Sequence, residues 1–315
     1  MIETSAMAVA SEESLPADAA VNDYRNLSII IPAYNEEDGI LATLERLRAF
    51  FPAAEIIVVD DGSKDETAKR AASFAGVKLL IHRFNRGYGG ALKTGMRKAT
   101  RELIAWYDAD NEHQPEFLQA MVRQIEQEKL AAVLGQRPRS VSVVRGVGKY
   151  MIRLLARLLK VKSGSDLNCG LRVFRREVIL PYLAVLPDSY SASLTSTIIL
   201  IEQRYPFVFH PIETNQRIGQ SKVALADGFN TLLLVLRVIT LFAPMRIFLR
   251  VSVNLLLIGL VYSLYVAVTR GEGIPVLGAF IMLVGLLIGI LGLVADQISQ
   301  LRLVGLTTPP LHEPD

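Results

Sequence analysis

Glu55-Ile56-Ile57-Val58-Val59-Asp60-Asp61-Gly62-Ser63 is an apolar run that stops abruptly at two acids, a glycine and a serine. A short block of β-branched residues bounded by turn formers reads as a strand buried on both faces. The same pattern recurs on either side of it. Leu27–Ile31 ends at Pro32, Val77–Ile81 is a third apolar run, and Leu103–Trp106 leads into Asp108-Ala109-Asp110. Helix-like stretches separate them: Glu36–Phe51, Lys64–Phe74 and Gly87–Ala99. Strands alternating with helices predict βαβ units, hence an α/β fold on a mainly parallel, Rossmann-like sheet. Ligands of such sheets bind beyond the carboxyl ends of the strands. Tyr34-Asn35-Glu36, Asp60-Asp61-Gly62 and Asp108-Ala109-Asp110 all follow strands, which predicts that they share one rim. No internal repeat or low-complexity linker is visible.

The chain has 315 residues, more than one such domain needs, and the surplus is apolar. Apolar residues make up 51% of the whole, the mean hydropathy is +0.33, and most of the excess lies after residue 230. The net charge of +3 is too small to point to nucleic acid. The single cysteine, Cys169, excludes an intramolecular disulfide and a four-cysteine zinc site, and is consistent with a reducing compartment. Residues 1–24 carry Glu3, Glu12, Glu13 and Asp18 without a basic start or an apolar run, so they read as a polar, disordered leader rather than a secretory signal. The domain that follows, residues 25–225, is then expected to fold in the cytoplasm.

Ile247–Val268 is interrupted only by Arg250, Ser252, Asn254 and Ser263, and Pro275–Ala295 holds no ionisable residue. About 20 mostly apolar residues suffice to cross a bilayer, so 247–298 reads as two transmembrane helices. A buried hairpin in a soluble protein would require a polar face that the second run lacks. The connector Thr269–Ile274 is short, polar and glycine-rich. Arg237, Arg246 and Arg250 precede the first span and Arg302 follows the second, which places both ends in the cytosol. The expectation is a multi-pass protein of the cell (inner) membrane with a cytoplasmic domain and a tail over 299–315. Within 226–246, Phe229–Leu241 predicts an amphipathic helix lying at the interface, set apart from the span by Pro244 and Arg246.

Two carboxylates at i and i+2 after a buried strand, Asp108 and Asp110, can bear on one divalent cation. Mg²⁺ and Mn²⁺ take such oxygen ligands and share their shell with diphosphate. An isolated Asp-x-Asp is commonly a solvated turn, and its position on the rim is what gives this one weight. Asp60 and Asp61 can accept hydrogen bonds from a base or a ribose, while Ser63 or Asp61 can equally cap a helix starting at Lys64. Asn85-Arg86-Gly87-Tyr88-Gly89-Gly90 opens a helix. Its glycines let a ligand approach the backbone, and the helix start and Arg86 favour anions, although simple turn chemistry explains glycines too.

In order along the chain, Ile30-Ile31-Pro32-Ala33-Tyr34-Asn35-Glu36, Val58-Val59-Asp60-Asp61-Gly62-Ser63-Lys64-Asp65, Asn85–Ala91 and Asp108-Ala109-Asp110 resemble the family 2 glycosyltransferases of GT-A fold. The resemblance covers roughly 27–225. Asn168–Arg176, the Arg-x-x-Gly-x-Ser-Lys pattern at Arg217–Lys222 and the helical hairpin resemble the polyprenyl-phosphate branch, which includes the dolichol-phosphate mannosyltransferases. It implies that Pro32, Ala33, Tyr34 and Glu36 line the base pocket and that Asp60 and Asp61 reach base or ribose. Arg86, Gly89, Asp108 and Ala109 complete the nucleotide-sugar site. Asp108 and Asp110 would hold Mg²⁺ or Mn²⁺ against the diphosphate, with Glu112, where relatives often carry Gln, as third ligand. Arg217, Lys222 and Arg137 would meet phosphate groups beside Asp110. Ser189–Thr197 is rich in hydroxyls where relatives have acidic or aromatic residues, which leaves the sugar open.

The implied reaction moves one sugar from a UDP- or GDP-linked donor to undecaprenyl or dolichyl phosphate, with inversion. A lipid phosphate is already anionic, so no strong general base is required, in keeping with the absence of a convincing His–carboxylate pair. His113 reads as a neighbour of the site or as surface. From Arg137 to Lys162 the chain carries eight Lys/Arg and no acid. Lys149, Arg153, Arg157 and Lys160 recur on one helical face, which suits an anionic headgroup layer and equally a solvated surface helix. A processive polysaccharide synthase is a second reading, but its Gln-x-x-Arg-Trp motif is missing, Trp106 being the only tryptophan. A non-catalytic nucleotide-sugar-binding membrane subunit is a third. A homo-oligomer packed through the hairpins fits any of these.

Overall fold

A computed structural model of the chain describes residues 24–138, 166–167, 169–213, 244–271, 273 and 275–304. Among them, strands β1 (Leu27–Ala33), β2 (Glu55–Asp60), β3 (Val77–Ile81), β4 (Leu103–Trp106), β5 (Ala132–Gln136), β6 (Arg172–Arg175) and β7 (Phe207–Pro211) form one sheet. It has seven strands in the order β3-β2-β1-β4-β6-β5-β7. β1 pairs in parallel with β2 and β4, β2 with β3, and β5 with β7. β6 runs against both its neighbours, β4 and β5. The mainly parallel sheet is therefore found, with one reversed strand near its middle. Helices α1 (Ile40–Phe50), α2 (Thr67–Ser73), α3 (Tyr88–Lys98), α4 (Pro115–Gln127), α5 (Arg176–Ile179) and α6 (Ala192–Glu202) cover it.

Alternation along the strands feeds two cores. Ile30, Ile57, Val59, Ile104 and Trp106 pack on the side of α3 and α6. Ile29, Ile31, Ile56, Val58 and Val133 pack on the side of α1 and α4. Both faces are thus dry, which is why the strands read as continuous apolar runs rather than alternating ones. Each fully buried Ile, Leu or Val contributes about 1.5–3 kcal/mol. The register pairs Ala33 with Asp60 and Asp60 with Ile81, so the first strands end level and their following loops meet on one rim.

Two helices start later than the sequence suggests. α1 begins at Ile40 rather than Glu36, and α2 at Thr67 rather than Lys64. The cause is side-chain chemistry in the loops. Asp65 Oδ1 accepts from the Thr67 amide (3.0 Å), fixing the start of α2, while the Asn35 and Glu36 amides donate across to Ser63 Oγ and Thr67 Oγ1 (each 2.9 Å).

α7 (Pro244–Arg270) and α8 (Val276–Val304) form the C-terminal hairpin. At 27 and 29 residues they are about 40 Å long, more than the roughly 30 Å of a bilayer core. By length and composition both can cross a membrane. α7 begins at Pro244, a position where proline is tolerated because the first helical residue has no use for an amide hydrogen. Arg246 lies within α7, and α8 runs past residue 298 to Val304. Gly271, at φ +64°, ends α7 by donating its amide to the Ala267 carbonyl (3.1 Å). The two helices approach closely through glycines. A Cβ at Gly278 would overlap Ser263 Oγ, and one at Gly292 would overlap Phe248. Their outer faces are apolar and exposed, as at Val261, Leu264 and Phe280. The leader to residue 23, the basic helix expected at Lys149–Lys160, Phe229–Leu241, Arg217 and Lys222 lie outside the described residues.

Candidate active site

The rim is assembled by reciprocal bonds between loops. Asn35, at φ +52°, accepts at Oδ1 from the Lys64 amide (2.8 Å), and Glu37 accepts from the Glu66 amide (3.0 Å). These bonds tie the loops after β1 and β2 to each other. Pro32 and Ala33 are buried beneath them, and the Ala33 carbonyl accepts from the Asp61 amide (2.8 Å). Tyr34 and Glu36 are partly exposed above. Asp60 is buried; its Oδ2 accepts from the Ser63 amide (3.2 Å), and its Oδ1 has no partner. A buried carboxylate oxygen without a donor is costly, and it fits a ligand N–H or O–H arriving there.

Asp61 does different work from the role expected of it. Its carboxylate accepts from the Arg86 amide (2.9 Å), the Gly87 amide (2.7 Å) and His82 Nδ1 (2.6 Å). Those bonds hold the glycine turn in place, so this side chain faces the protein rather than a base or ribose. The glycines are likewise occupied. Gly90 donates its amide to the Asp188 carbonyl (3.2 Å), and a Cβ at Gly89 would overlap the Pro187 carbonyl oxygen. Lys93 Nζ joins Asp188 (2.5 Å) and the Leu186 carbonyl (3.0 Å). The backbone that comes close to the start of α3 is thus that of residues 187–189. Gly89 is buried under it, whereas Arg86 stays exposed at the edge.

Asp108, just past β4, is held from three sides. Tyr88 Oη donates to Oδ1 (3.0 Å), His113 Nε2 lies 3.1 Å from Oδ2, and Gly170 abuts the carboxylate so closely that a Cβ there would overlap both oxygens. Burial alone would raise this carboxyl, but His113, Tyr88 and the Arg137 charge outweigh it and hold it below the usual carboxylate range. His113 responds in the opposite sense: burial pushes its pKa down and Asp108 more than restores it, so it lies above the ordinary histidine value. It is therefore a buried partner of Asp108 and not surface. Burial and Asp108 together raise the Tyr88 phenol far above its ordinary value, keeping it a donor. Asp110 is buried and accepts from the Glu112 amide (3.1 Å), across a turn in which Asn111 takes φ +58°. Ala109 is buried in the core, its carbonyl accepting from Thr43 Oγ1 (3.0 Å).

Arg137 donates from Nε to Asp166 Oδ2 (2.7 Å), and its Nη1 lies 3.7 Å from Glu112. Among the described residues no three His, Cys, Asp or Glu side chains gather around a common metal position. Glu112 is drawn toward Arg137, and the expected three-acid set is not preassembled. The donor set fits a different kind of divalent site. Asp108 and Asp110 present hard oxygens on one turn, and each Asp108 oxygen bears a single hydrogen bond, which leaves lone pairs for a cation. Such an open site is completed by diphosphate and water, as Mg²⁺ and Mn²⁺ favour.

Sequence reasoning missed Arg172. It is fully buried on β6, donating from Nε to the Cys169 carbonyl (2.8 Å) and from Nη2 to the Leu167 carbonyl (2.8 Å). Nη1 donates to Thr197 Oγ1 (2.7 Å) and Ser196 Oγ (3.2 Å) on α6. The hydroxyl-rich stretch read as bearing on the sugar is thus in part the receptor for a buried guanidinium. Burial lowers the Arg172 pKa to about 10, which still leaves it charged at neutral pH. An unbroken row of buried hydroxyls in an otherwise apolar helix was the available signal.

The family model described as glycosyl transferase family 2 matches residues 28–181, and that of the GtrB C-terminal hairpin matches 243–301. An uncharacterized protein of Methanocaldococcus jannaschii is 30% identical over 187 residues, covering 56% of this chain and 75% of its own length. The chain belongs to glycosyl transferase family 2. Among curated relatives, the undecaprenyl-phosphate 4-deoxy-4-formamido-L-arabinose transferase of Pectobacterium atrosepticum is 31% identical over 50% of this chain. The dolichyl-phosphate beta-glucosyltransferase of Dictyostelium discoideum is 32% identical over 48%. The match spans about half of each relative, 51% and 54% of their lengths. Glucosyl-3-phosphoglycerate synthase from Mycobacterium tuberculosis, solved with phosphoglyceric acid, superimposes with TM-score 0.58 at 18% identity, over 72% of this chain and 85% of that one. The same synthase has been crystallised with Mn²⁺ and UDP-glucose. That likeness establishes the GT-A fold of this family 2 chain.

Proposed function

We propose that this chain is a membrane-anchored inverting glycosyltransferase that moves one sugar from a nucleotide diphosphate sugar to a polyprenyl phosphate. The observation that carries the reading is the carboxylate pair Asp108 and Asp110 at the end of β4, in a chain whose last described elements form an exposed apolar hairpin. The names of the two curated relatives support the polyprenyl phosphate acceptor, and the printed ligands of the solved synthase support a nucleotide-sugar donor and a divalent cation.

In this reading Asp60, Tyr34 and Glu36 receive the nucleoside, Arg86 lies at its edge, and Asp108 and Asp110 hold Mg²⁺ or Mn²⁺. When bound, the cation supplies positive charge to the departing nucleoside diphosphate. Arg137 would exchange its bond to Asp166 for a phosphate, with Arg217 and Lys222 assisting. The acceptor phosphate is ionised near neutral pH, so the residues need only orient it for in-line attack and exclude water. The catalytic domain would face the cytoplasm over about 25–225, with 226–246 at the membrane surface and the hairpin in the inner membrane.

Purified protein should form a glycolipid from undecaprenyl or dolichyl phosphate when offered a panel of UDP- and GDP-sugars with Mn²⁺ or Mg²⁺. Absence of product and of donor binding across the panel would sink the reading. Asp110→Asn should abolish transfer while leaving the fold intact by circular dichroism.

A further inference from the structure

Arg172 is a charged side chain with no exposure and, among the described residues, no carboxylate within ion-pair distance. Burying a guanidinium without a counter-ion is expensive, so every neighbour must be arranged to accept from it. The arrangement is specific. Ser196 and Thr197 each donate their own proton to the Ser193 carbonyl (2.9 and 3.2 Å), which turns oxygen lone pairs toward Nη1. On its other side the fork binds the carbonyls of Leu167 and Cys169, the two residues that bracket position 168. The next residue, Gly170, is the one pressed against the Asp108 carboxylate.

We propose that Arg172 is a positioning residue for the acid pair. It bridges the hydroxyls of α6 to the carbonyls of Leu167 and Cys169, and so fixes the neighbouring Gly170 on which the Asp108 carboxylate rests. The inference builds on the functional reading above, in which Asp108 meets the cation. An arginine is required because only its planar fork satisfies two carbonyls and two hydroxyls at once; a lysine has the charge but not the geometry. Groups that orient a metal-binding carboxylate typically change metal affinity or activity roughly 10- to 100-fold when removed.

The test uses the full chain in detergent and follows free Mn²⁺ by electron paramagnetic resonance, with UDP in one arm and GDP in another. Glycolipid formation is measured alongside. Thr197→Val, close in shape but without the acceptor, and the double variant S196A/T197V should weaken Mn²⁺ binding roughly 10- to 100-fold. They should lower kcat in parallel while leaving KM for the lipid phosphate unchanged. Thr197→Ser should behave as wild type, and Arg172→Lys should resemble the double variant. If T197V and S196A/T197V bind Mn²⁺ as the wild type does and lose only thermal stability, the proposal is overturned and Arg172 serves folding alone. If the wild type itself binds no Mn²⁺ with either nucleotide and transfers no sugar, the functional reading fails, and the proposal with it.

Discussion

At the scale of single residues, adjacent acids that look alike in the sequence divide their labour by what surrounds them. Asp60 keeps one buried oxygen without a donor, whereas the Asp61 carboxylate is committed to two backbone amides and His82. Hydrogen bonds to a charged group are each worth about 1.5–3 kcal/mol. Asp61→Ala should therefore lower unfolding free energy by about 3 kcal/mol or more, read from urea denaturation. Asp60→Asn should leave stability nearly unchanged and weaken donor binding. Tyr88→Phe removes one of the two hydrogen bonds on the ionised Asp108, and about 1.5–3 kcal/mol translates into a loss of roughly 10- to 100-fold in kcat/KM. A wild-type rate in Tyr88→Phe would remove Tyr88 from the site.

At the scale of elements, the contacts that matter join segments far apart in the chain. The start of α3 is sealed by residues 186–189, which is why Gly89 has no room for a side chain. Gly89→Ala should destabilise the fold by about 1–3 kcal/mol, the usual cost of overpacking against backbone, visible as a lowered Tm. At the opposite end of the sheet, Glu55 ties β2 to β1 and to the loop before β4, accepting from Ser28 Oγ (2.5 Å) and the Thr100 amide (2.9 Å). Partial burial pushes the Glu55 carboxyl up, but those bonds and Lys78 outweigh it and hold it below its ordinary value. A carboxyl lowered on folding stabilises above its unfolded pKa, and that stability is lost as pH falls through the folded value. The acid limb of the stability curve, below about pH 4.5, should thus be shallower in Glu55→Gln than in the wild type.

At the scale of the molecule, the soluble rim and the apolar hairpin are parts of one proposal, and their relation to the bilayer is open to a direct test. Cys169 is the sole cysteine and is buried, with burial pushing its thiol up to about 12, so the native chain offers almost no background to a thiol reagent. In intact cells a membrane-impermeant maleimide should label Gly273→Cys, in the connector, and should label Arg83→Cys, on the domain surface, only after permeabilisation. The reverse pattern would place the acid pair on the wrong side for a cytoplasmic donor.

The sequence by itself determined the first four strands, the acid clusters that follow three of them, and the apolar hairpin. These are local patterns, governed by the burial of short apolar runs and by the conformations that Gly, Asp and Asn permit. It did not show β6 reversed beside β4, the Pro187–Ser189 backbone lying where a ligand was expected, or a buried arginine behind the hydroxyls of α6. Each of those depends on segments 20 to 100 residues apart meeting in space, where the partner that satisfies a buried polar group is chosen. The sequence names the residues able to carry charge and hydrogen bonds. The tertiary structure decided which of them face a ligand and which hold the others in place, because a buried donor or acceptor must find its partner wherever the fold puts it.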